Sequence, residues 1–281
     1  MKAPLLLFLL AGLAAPLFLT AQEGTGGTTN PSWMRNLTRD PPGPYAELRP
    51  VLLEYNLTWK NTVKAGEMAV KIVPAPNERI YLGNASGKST GLARALFPYD
   101  FKAVSRVSAG SLRPTVFAMN EEQRKSRSSY EIQFTTDRTL FQTTKQNTEK
   151  PGSKPVTRKT GFDHDFTQDL MSAVFYLRSQ PLKQGDKVSL VVAPQNRAYL
   201  TQARVAGREK RRVRGKSYST IKLDLGIAKI DDDLSLKPYS KVDSATVWIT
   251  DDAYRLPLEM QADIFIGFVS ARLTGRRWLG P

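Results

Sequence analysis

The chain predicts a mainly β protein: a strongly curved antiparallel sheet or partly open β-barrel of about eleven or twelve strands. Three observations predict it. Apolar residues recur at every second position in one stretch after another. Short turn-forming clusters separate these stretches, where a parallel sheet would need long crossovers. Only residues 167–179 sustain a helical period over several turns, and that helix needs an apolar surface on which to bury its stripe. So many strands rarely stay flat, so the expected sheet curls around the helix.

The first 21 residues stand apart. Met1-Lys2 precedes an uncharged apolar run from Ala3 to Thr20, the pattern of a signal peptide with cleavage after Ala21. Leu19 is a poor residue two places before that cut, so processing after Ala15 is a second reading and an uncleaved anchor a third. Each sends the remainder across a membrane, towards the periplasm or outer envelope in a bacterial cell. Residues 22–49, rich in Gly, Thr, Pro and Asn, read as a flexible arm with Trp33 able to pin it to the body.

A single β-rich domain is expected over residues 50–274. VLLEYNLTW alternates Leu53, Tyr55, Leu57 and Trp59 against Glu54, Asn56 and Thr58. Lys64-Ala65-Gly66 reads as a turn, EMAVKIV as the returning strand and ERIYLGNAS as the next. TGLARALF makes a short helical segment, 90–97, ended by Pro98. Tyr99, Phe101, Ala103 and Ser105 resume strand spacing, and Leu112-Arg113-Pro114 turns a corner. Strands near 115–120, 128–135 and 139–145 follow, then a basic stretch, 145–161, with two prolines and no apolar period, which reads as a long exposed loop.

In the helix, Phe166, Leu170, Val174 and Leu177 form a stripe that Met171 and Phe175 widen. Asp165 or Thr167 can cap it, Asp169 suits its positive end, Arg178 suits its negative end, and Pro181 stops it. Val188, Leu190 and Val192 then alternate. RAYLTQARVAG and KSYSTIKLDLGIA are hairpin arms joined by REKRRVRGK. After an acidic loop and TVWIT, Asp251-Asp252-Ala253 makes a turn. The clearest strand sets Leu256, Leu258, Met260, Ala262, Ile264 and Ile266 on one face, with Arg255, Glu259, Gln261 and Asp263 on the other. Residues 275–281 are a short basic tail.

Composition narrows the function. With residues 1–21 removed, Lys2 is lost and 40 bases face 26 acids, a net of +14. Such a surface favours a lipid, an anionic glycan or a membrane surface; nucleic acid is disfavoured because no recognition motif accompanies the charge. There is no Cys, which removes disulfides, lipoprotein attachment, thiolate metal sites and thiol nucleophiles.

The segments TQDLMSAVFYLRSQPLKQGDKVSL, GRE...GKSYSTIKL and VWITDDAYRLPLEMQADIFIGFVSARL, with LEYNLTW...KAGEMAV and TGLARALFPYDF, resemble the bacterial exported proteins catalogued as domain of unknown function 3108. The likeness runs from about Leu53 to Leu273. It implies a mostly β exported domain and neither activity nor catalytic residues. Where that family commonly places an Asp before the corner, this chain has Ser108-Ala109-Gly110, so no role for that acid carries over.

No constellation points to catalysis. His164 is the single histidine and stands between Asp163 and Asp165; a polar approach to the helix accounts for it better than a metal or a base. Asp231-Asp232-Asp233 with Asp243 lacks the loop pattern of a calcium site and reads as a solvated turn. GNASGKST, 83–90, spaces its glycines and Lys88 wrongly for a phosphate loop. Asp251 and Asp252 are expected to lock their turn through Asx hydrogen bonds and a bidentate pair with Arg255. The candidate ligand-binding residues are Arg208, Lys210, Arg211, Arg212, Arg214 and Lys216, six bases among nine residues, whose mutual repulsion gains nothing for folding. No cofactor is expected. The reading is an envelope protein that binds an apolar or amphipathic, lipid-like ligand without catalysis. The alternative is an interaction protein whose basic loops meet anionic glycan, lipid or protein.

Overall fold

The computed structural model describes residues 31–239, 242, 244–264 and 267–280. The leader, residues 22–30 of the arm, Asp243 and Ile266 therefore lie outside the described residues. Sixteen strands form a single sheet. In chain order they are β1 (Val51–Trp59), β2 (Val63–Pro74), β3 (Ile80–Ser89), β4 (Tyr99–Ser108), β5 (Pro114–Gln123), β6 (Ser126–Phe134), β7 (Arg138–Asn147), β8 (Val156–Asp163), β9 (Thr167–Gln168), β10 (Lys187–Val192), β11 (Tyr199–Val213), β12 (Lys216–Ile230), β13 (Leu236–Pro238), β14 (Ser244–Thr250), β15 (Pro257–Ile264) and β16 (Gly267–Trp278). Two α-helices interrupt them, α1 (Gly91–Leu96) and α2 (Leu170–Ser179).

The spatial order is β8-β7-β6-β5-β4-β3-β2-β1-β16-β15-β14-β12-β11-β10-β9, with β13 on the far end of β12. All pairings are antiparallel except β9 with β10. The pairing of β1 with β16 joins the two halves of the meander. The sheet does not close: β8 and β9 are its edges. Yet these edges are consecutive in the chain, and four residue steps from Asp163 to Thr167 span at most roughly 14 Å. The sheet thus wraps almost fully around its interior. Register breaks at Glu54/Tyr55, Leu57/Thr58, Arg106/Val107 and Trp248/Ile249 add the local bends that such wrapping requires.

The strand count exceeds the expected eleven or twelve for identifiable reasons. β8 carries Thr, Arg, Lys and Gly with no apolar period, and nearly every residue is exposed; ladder bonds to β7 alone make it a strand. The expected loop 145–161 therefore shrinks to residues 148–155. β9 and β13 are too short to show a period. The first turn also moves. Lys60 and Asn61, both at positive φ (51° and 57°), reverse the chain within the three-residue connection 60–62, whereas Lys64-Ala65-Gly66 lies within β2. At the long hairpin, β11 and β12 run on through the basic stretch and turn only at Arg214-Gly215, φ 51° and 75°.

The inner face is apolar. Leu53, Tyr55, Leu57, Met68, Phe101, Phe117, Ile132, Leu190, Leu223 and Leu258 are all buried in one core, and Ala262 and Ile264 continue it as a smaller cluster. Helix α2 plugs this interior. Its cap is Asp169, in place of Asp165 or Thr167: the carboxylate accepts the amides of Met171 (2.7 Å) and Ser172 (2.9 Å), and Ser172 Oγ accepts the Asp169 amide in return. Thr167 is engaged in β9, and Asp165 pairs with Arg39. The helix buries Met171, Phe175 and Tyr176, while Val174 stays 40% exposed.

Residues 31–49, expected as part of a loose arm, pack across α2 and the sheet. Trp33 is buried and donates Nε1–H to the Leu234 carbonyl at 3.0 Å. Thr38 exchanges bonds with the Ser189 backbone, and Tyr176 donates to the Asp40 carbonyl at 2.6 Å. Gly43 meets Ser179 so closely that a Cβ would lie 2.3 Å from its carbonyl oxygen. Trp33 was the one anchor legible in the sequence; composition misses the rest because much of the anchoring is done by backbone groups and by side chains whose partners are distant in the chain.

Candidate ligand site

An apolar cavity of about 120 Å³ lies between the inner face of the sheet and α2. Strands β1 to β5 supply Leu53, Val70, Ala85, Ala103 and Met119 among others; α2 supplies Leu170, Met171, Val174 and Phe175. Val174 (40% exposed) and Tyr254 (38% exposed) mark the side that opens to solvent. A larger depression, about 930 Å³, lies on the opposite face of β1–β7. Its side chains carry both signs and already neutralise one another, as in Lys88–Glu67 (3.1 Å) and Arg127–Glu122 (2.9 Å). Apolar lining with few convergent polar groups favours the smaller cavity as a ligand site.

Those convergent groups are three arginines. Arg49 reaches Tyr254 Oη at 3.2 Å and lies 4.6 Å over the Trp278 ring. Arg178, in the last turn of α2, donates twice to the Tyr254 carbonyl (3.1 and 2.9 Å) and once to that of Glu47 (3.2 Å). Burial pushes its guanidinium down to about 10, which leaves it charged at neutral pH. Arg255 is 3% exposed at φ 48° and lies 4.1 Å under the Tyr45 ring. Among the described residues its Nε and Nη1 have no hydrogen-bond partner, and Nη2 reaches the Pro181 carbonyl only at 3.5 Å.

The turn that presents Arg255 is locked by Asp252. One carboxylate oxygen accepts from Thr250 Oγ1 (2.7 Å) and from the amides of Tyr254 (2.9 Å) and Arg255 (3.1 Å). The bidentate Asp–Arg255 pair expected from sequence does not form. Asp251 lies 3.9 Å from Arg255 in a single contact and takes its short bond, 2.8 Å, from Arg208. The local reason is geometry: an Asx turn aims the Asp252 carboxylate at the backbone.

The six bases at 208–216 divide. Arg208 is tied to Asp251 and to the Leu182 carbonyl. Arg211 pairs at 2.6 Å with Glu259, itself 1% exposed and also held by Arg272 at 2.9 Å, and stacks 4.3 Å over Trp248. These two support the sheet. Lys210, Arg212, Arg214 and Lys216 are exposed at the hairpin tip. Elsewhere the polar candidates are spent on structure. His164 is buried between Phe162 and Trp33 (5.7 and 6.4 Å between ring centres), accepts the Phe166 amide at 3.2 Å, and is pushed down to about 4 by burial. Asp231 is bound to Lys229 and Lys237, and Asp233 turns back on Ser235.

Arg49, Arg178 and Tyr45 were missed as site residues. Arg178 carried a readable signal, because it continues the buried Met171–Phe175 side of the helix at a three-residue step. Arg49 and Tyr45 carried none, since their place depends on where the arm lands.

The family model described as protein of unknown function (DUF3108) matches residues 54–274, most of the chain. The chain belongs to the DUF3108 family. The DUF3108 fold is shared with a crystal structure from Brucella abortus, titled as a beta-barrel-like protein of domain of unknown function DUF1849. That structure is 11% identical, with a TM-score of 0.55 over 84% of this chain and 100% of the other; the likeness concerns the fold. No curated protein matches the chain. Among the described residues of this DUF3108 protein, no helix is long and apolar enough to cross a membrane.

Proposed function

We propose that the protein is exported to the periplasm or outer envelope and there binds an apolar or amphipathic, lipid-like ligand, as a binding protein without catalysis. The observation that supports this reading is the apolar cavity between the concave sheet and α2. The uncharged run Ala3–Thr20 supports export.

At about 120 Å³ the space is close to the roughly 150 Å³ engineered cavity that holds benzene, so a longer chain must displace α2 or the arm that crosses it. Native mass spectrometry of protein purified from its own envelope under mild conditions tests the proposal. The expected result is a co-purifying lipid that is lost in Ala103→Phe, which fills the cavity; absence of any bound lipid overturns it. The intact mass of the same sample tests processing, with Gln22 (or Pro16, after cleavage at Ala15) expected at the new terminus.

A second reading, an interaction protein meeting anionic glycan, lipid or protein, is favoured by Lys210, Arg212, Arg214 and Lys216 at the hairpin tip. Crosslinking in intact cells that is unchanged by Arg212→Glu with Arg214→Glu would sink it.

A further inference from the structure

The three charged residues that line the inner cavity are Arg49, Arg178 and Arg255; no acidic side chain lines it among the described residues. Two of these guanidiniums are nearly inaccessible, at 5% and 3% exposure for Arg178 and Arg255. Burying a cation is costly unless it is paired, and leaving its donors unmet adds to that cost. Arg178 spends its donors on carbonyl oxygens, which carry no countercharge. Arg255 has two donors unmet: Asp251, at 3.9 Å, is already committed to Arg208, and the Asp252 carboxylate beside it is spent on Thr250 and the backbone amides of the turn. The mouth of an apolar cavity therefore holds positive charge in excess and hydrogen-bond donors in want of acceptors.

Folding does not need this arrangement. An apolar side chain at 255 would pack beneath Tyr45 without the desolvation cost, because Asp252 secures the turn through backbone amides and Thr250. The excess charge is explained by an occupant that brings the missing anion. Planar guanidiniums match carboxylate and phosphate oxygens in paired bonds.

We infer that the cavity takes an anionic amphiphile, its chain among the apolar side chains of β1–β5 and α2 and its carboxylate or phosphate on Arg255, flanked by Arg178 and Arg49. This rests on the lipid-binding reading and names the class of ligand. Tyr45 now covers the Arg255 guanidinium, so its ring swings aside as the headgroup seats. The chain-to-headgroup order follows from the lining: apolar side chains of β1–β5 and α2 form most of it, and the arginines gather beside Tyr254, on the side that opens.

The test is calorimetric titration of the purified chain with dodecanoic acid, dodecyl phosphate and dodecanol, each as monomer. The acid or the phosphate should bind at least roughly tenfold tighter than the alcohol, as charge-assisted pairing would give; which of them is tighter identifies the headgroup. Arg255→Gln should erase most of that advantage, and Arg255→Lys should keep part of it. Should Arg255→Gln fail to fold, Arg49→Gln, at the rim, must still lower the preference for the anion. Equal binding of all three probes overturns this inference and leaves the lipid-binding reading standing. Binding of none overturns both.

Discussion

Two buried groups within five residues of each other should tilt the pH dependence of stability in opposite directions. Burial holds Asp169 at about 6, up from 3.8, although Ser105 at 2.5 Å and two backbone amides donate to it. Between those values the folded chain keeps a proton that the unfolded chain has lost, so stability falls as pH rises from about 4 to 6. Burial holds His164 at about 4, down from 6.5. Here the unfolded chain takes up a proton that the folded chain refuses, so stability falls as pH drops from about 6.5 to 4. The shifts, 6 − 3.8 and 6.5 − 4, are each worth on the order of 3 kcal/mol at 1.36 kcal/mol per unit. They nearly cancel, and urea unfolding of the parent should be almost level across this window. Asp169→Asn, which keeps an oxygen for the helix amides, should leave the His164 slope: stability rising with pH. His164→Asn, which keeps an acceptor for the Phe166 amide, should leave the Asp169 slope: stability falling with pH. Glu67, Asp165 and Asp231 are held below the usual carboxylate range by lysine or arginine partners; their loss comes at more acid pH and is common to all three proteins. If the two variants slope the same way, burial does not control these groups as reasoned.

Other outcomes follow from the packing. Gly66→Ala should cost about 1–3 kcal/mol because its Cβ would lie 2.7 Å from the Lys88 carbonyl oxygen, whereas Gly83→Ala should cost less, since its Cβ meets only the flexible Met171 Sδ; denaturant midpoints give the comparison. Arg211→Ala should destabilise by roughly 3 kcal/mol by leaving Glu259 under-paired, and Arg212→Ala by less than about 0.5 kcal/mol, measured in the same way. Trp33→Ala should cost about 3–5 kcal/mol and make residues 31–50 cleavable by added protease while the sheet remains intact by circular dichroism.

Period-two alternation made the sheet legible wherever one face is wet: Leu53–Leu57 and Leu258–Ile264 lie in the interior as their spacing requires. β8 was illegible because an edge strand with two exposed faces needs no apolar residue, and its Arg and Lys discourage further pairing. The hairpin tip misled for a related reason. A run of bases looks like a loop, yet Arg208 and Arg211 sit on strand positions that carry them to Asp251 and Glu259. Such partners more than forty residues away leave no local trace. The candidate site was half visible: Arg178 could be placed on the correct element, but Arg255, read as lying on the wet face of the last-but-one strand, is buried in the turn before β15, and the shared cavity depends on how the arm crosses α2.

No ladder joins the sheet margins at β8 and β9; residues 164–166 link them along the chain, and Phe162 of β8 packs at that corner on the cluster that holds Val191 and Leu200. A barrel stitched all round fixes its own girth, because widening it means breaking a ladder. This one resembles a slit cuff fastened at a single corner. Its circumference is free to adjust along the slit without loss of a ladder bond, so a guest bulky enough to move α2 or the arm need not unpick the weave.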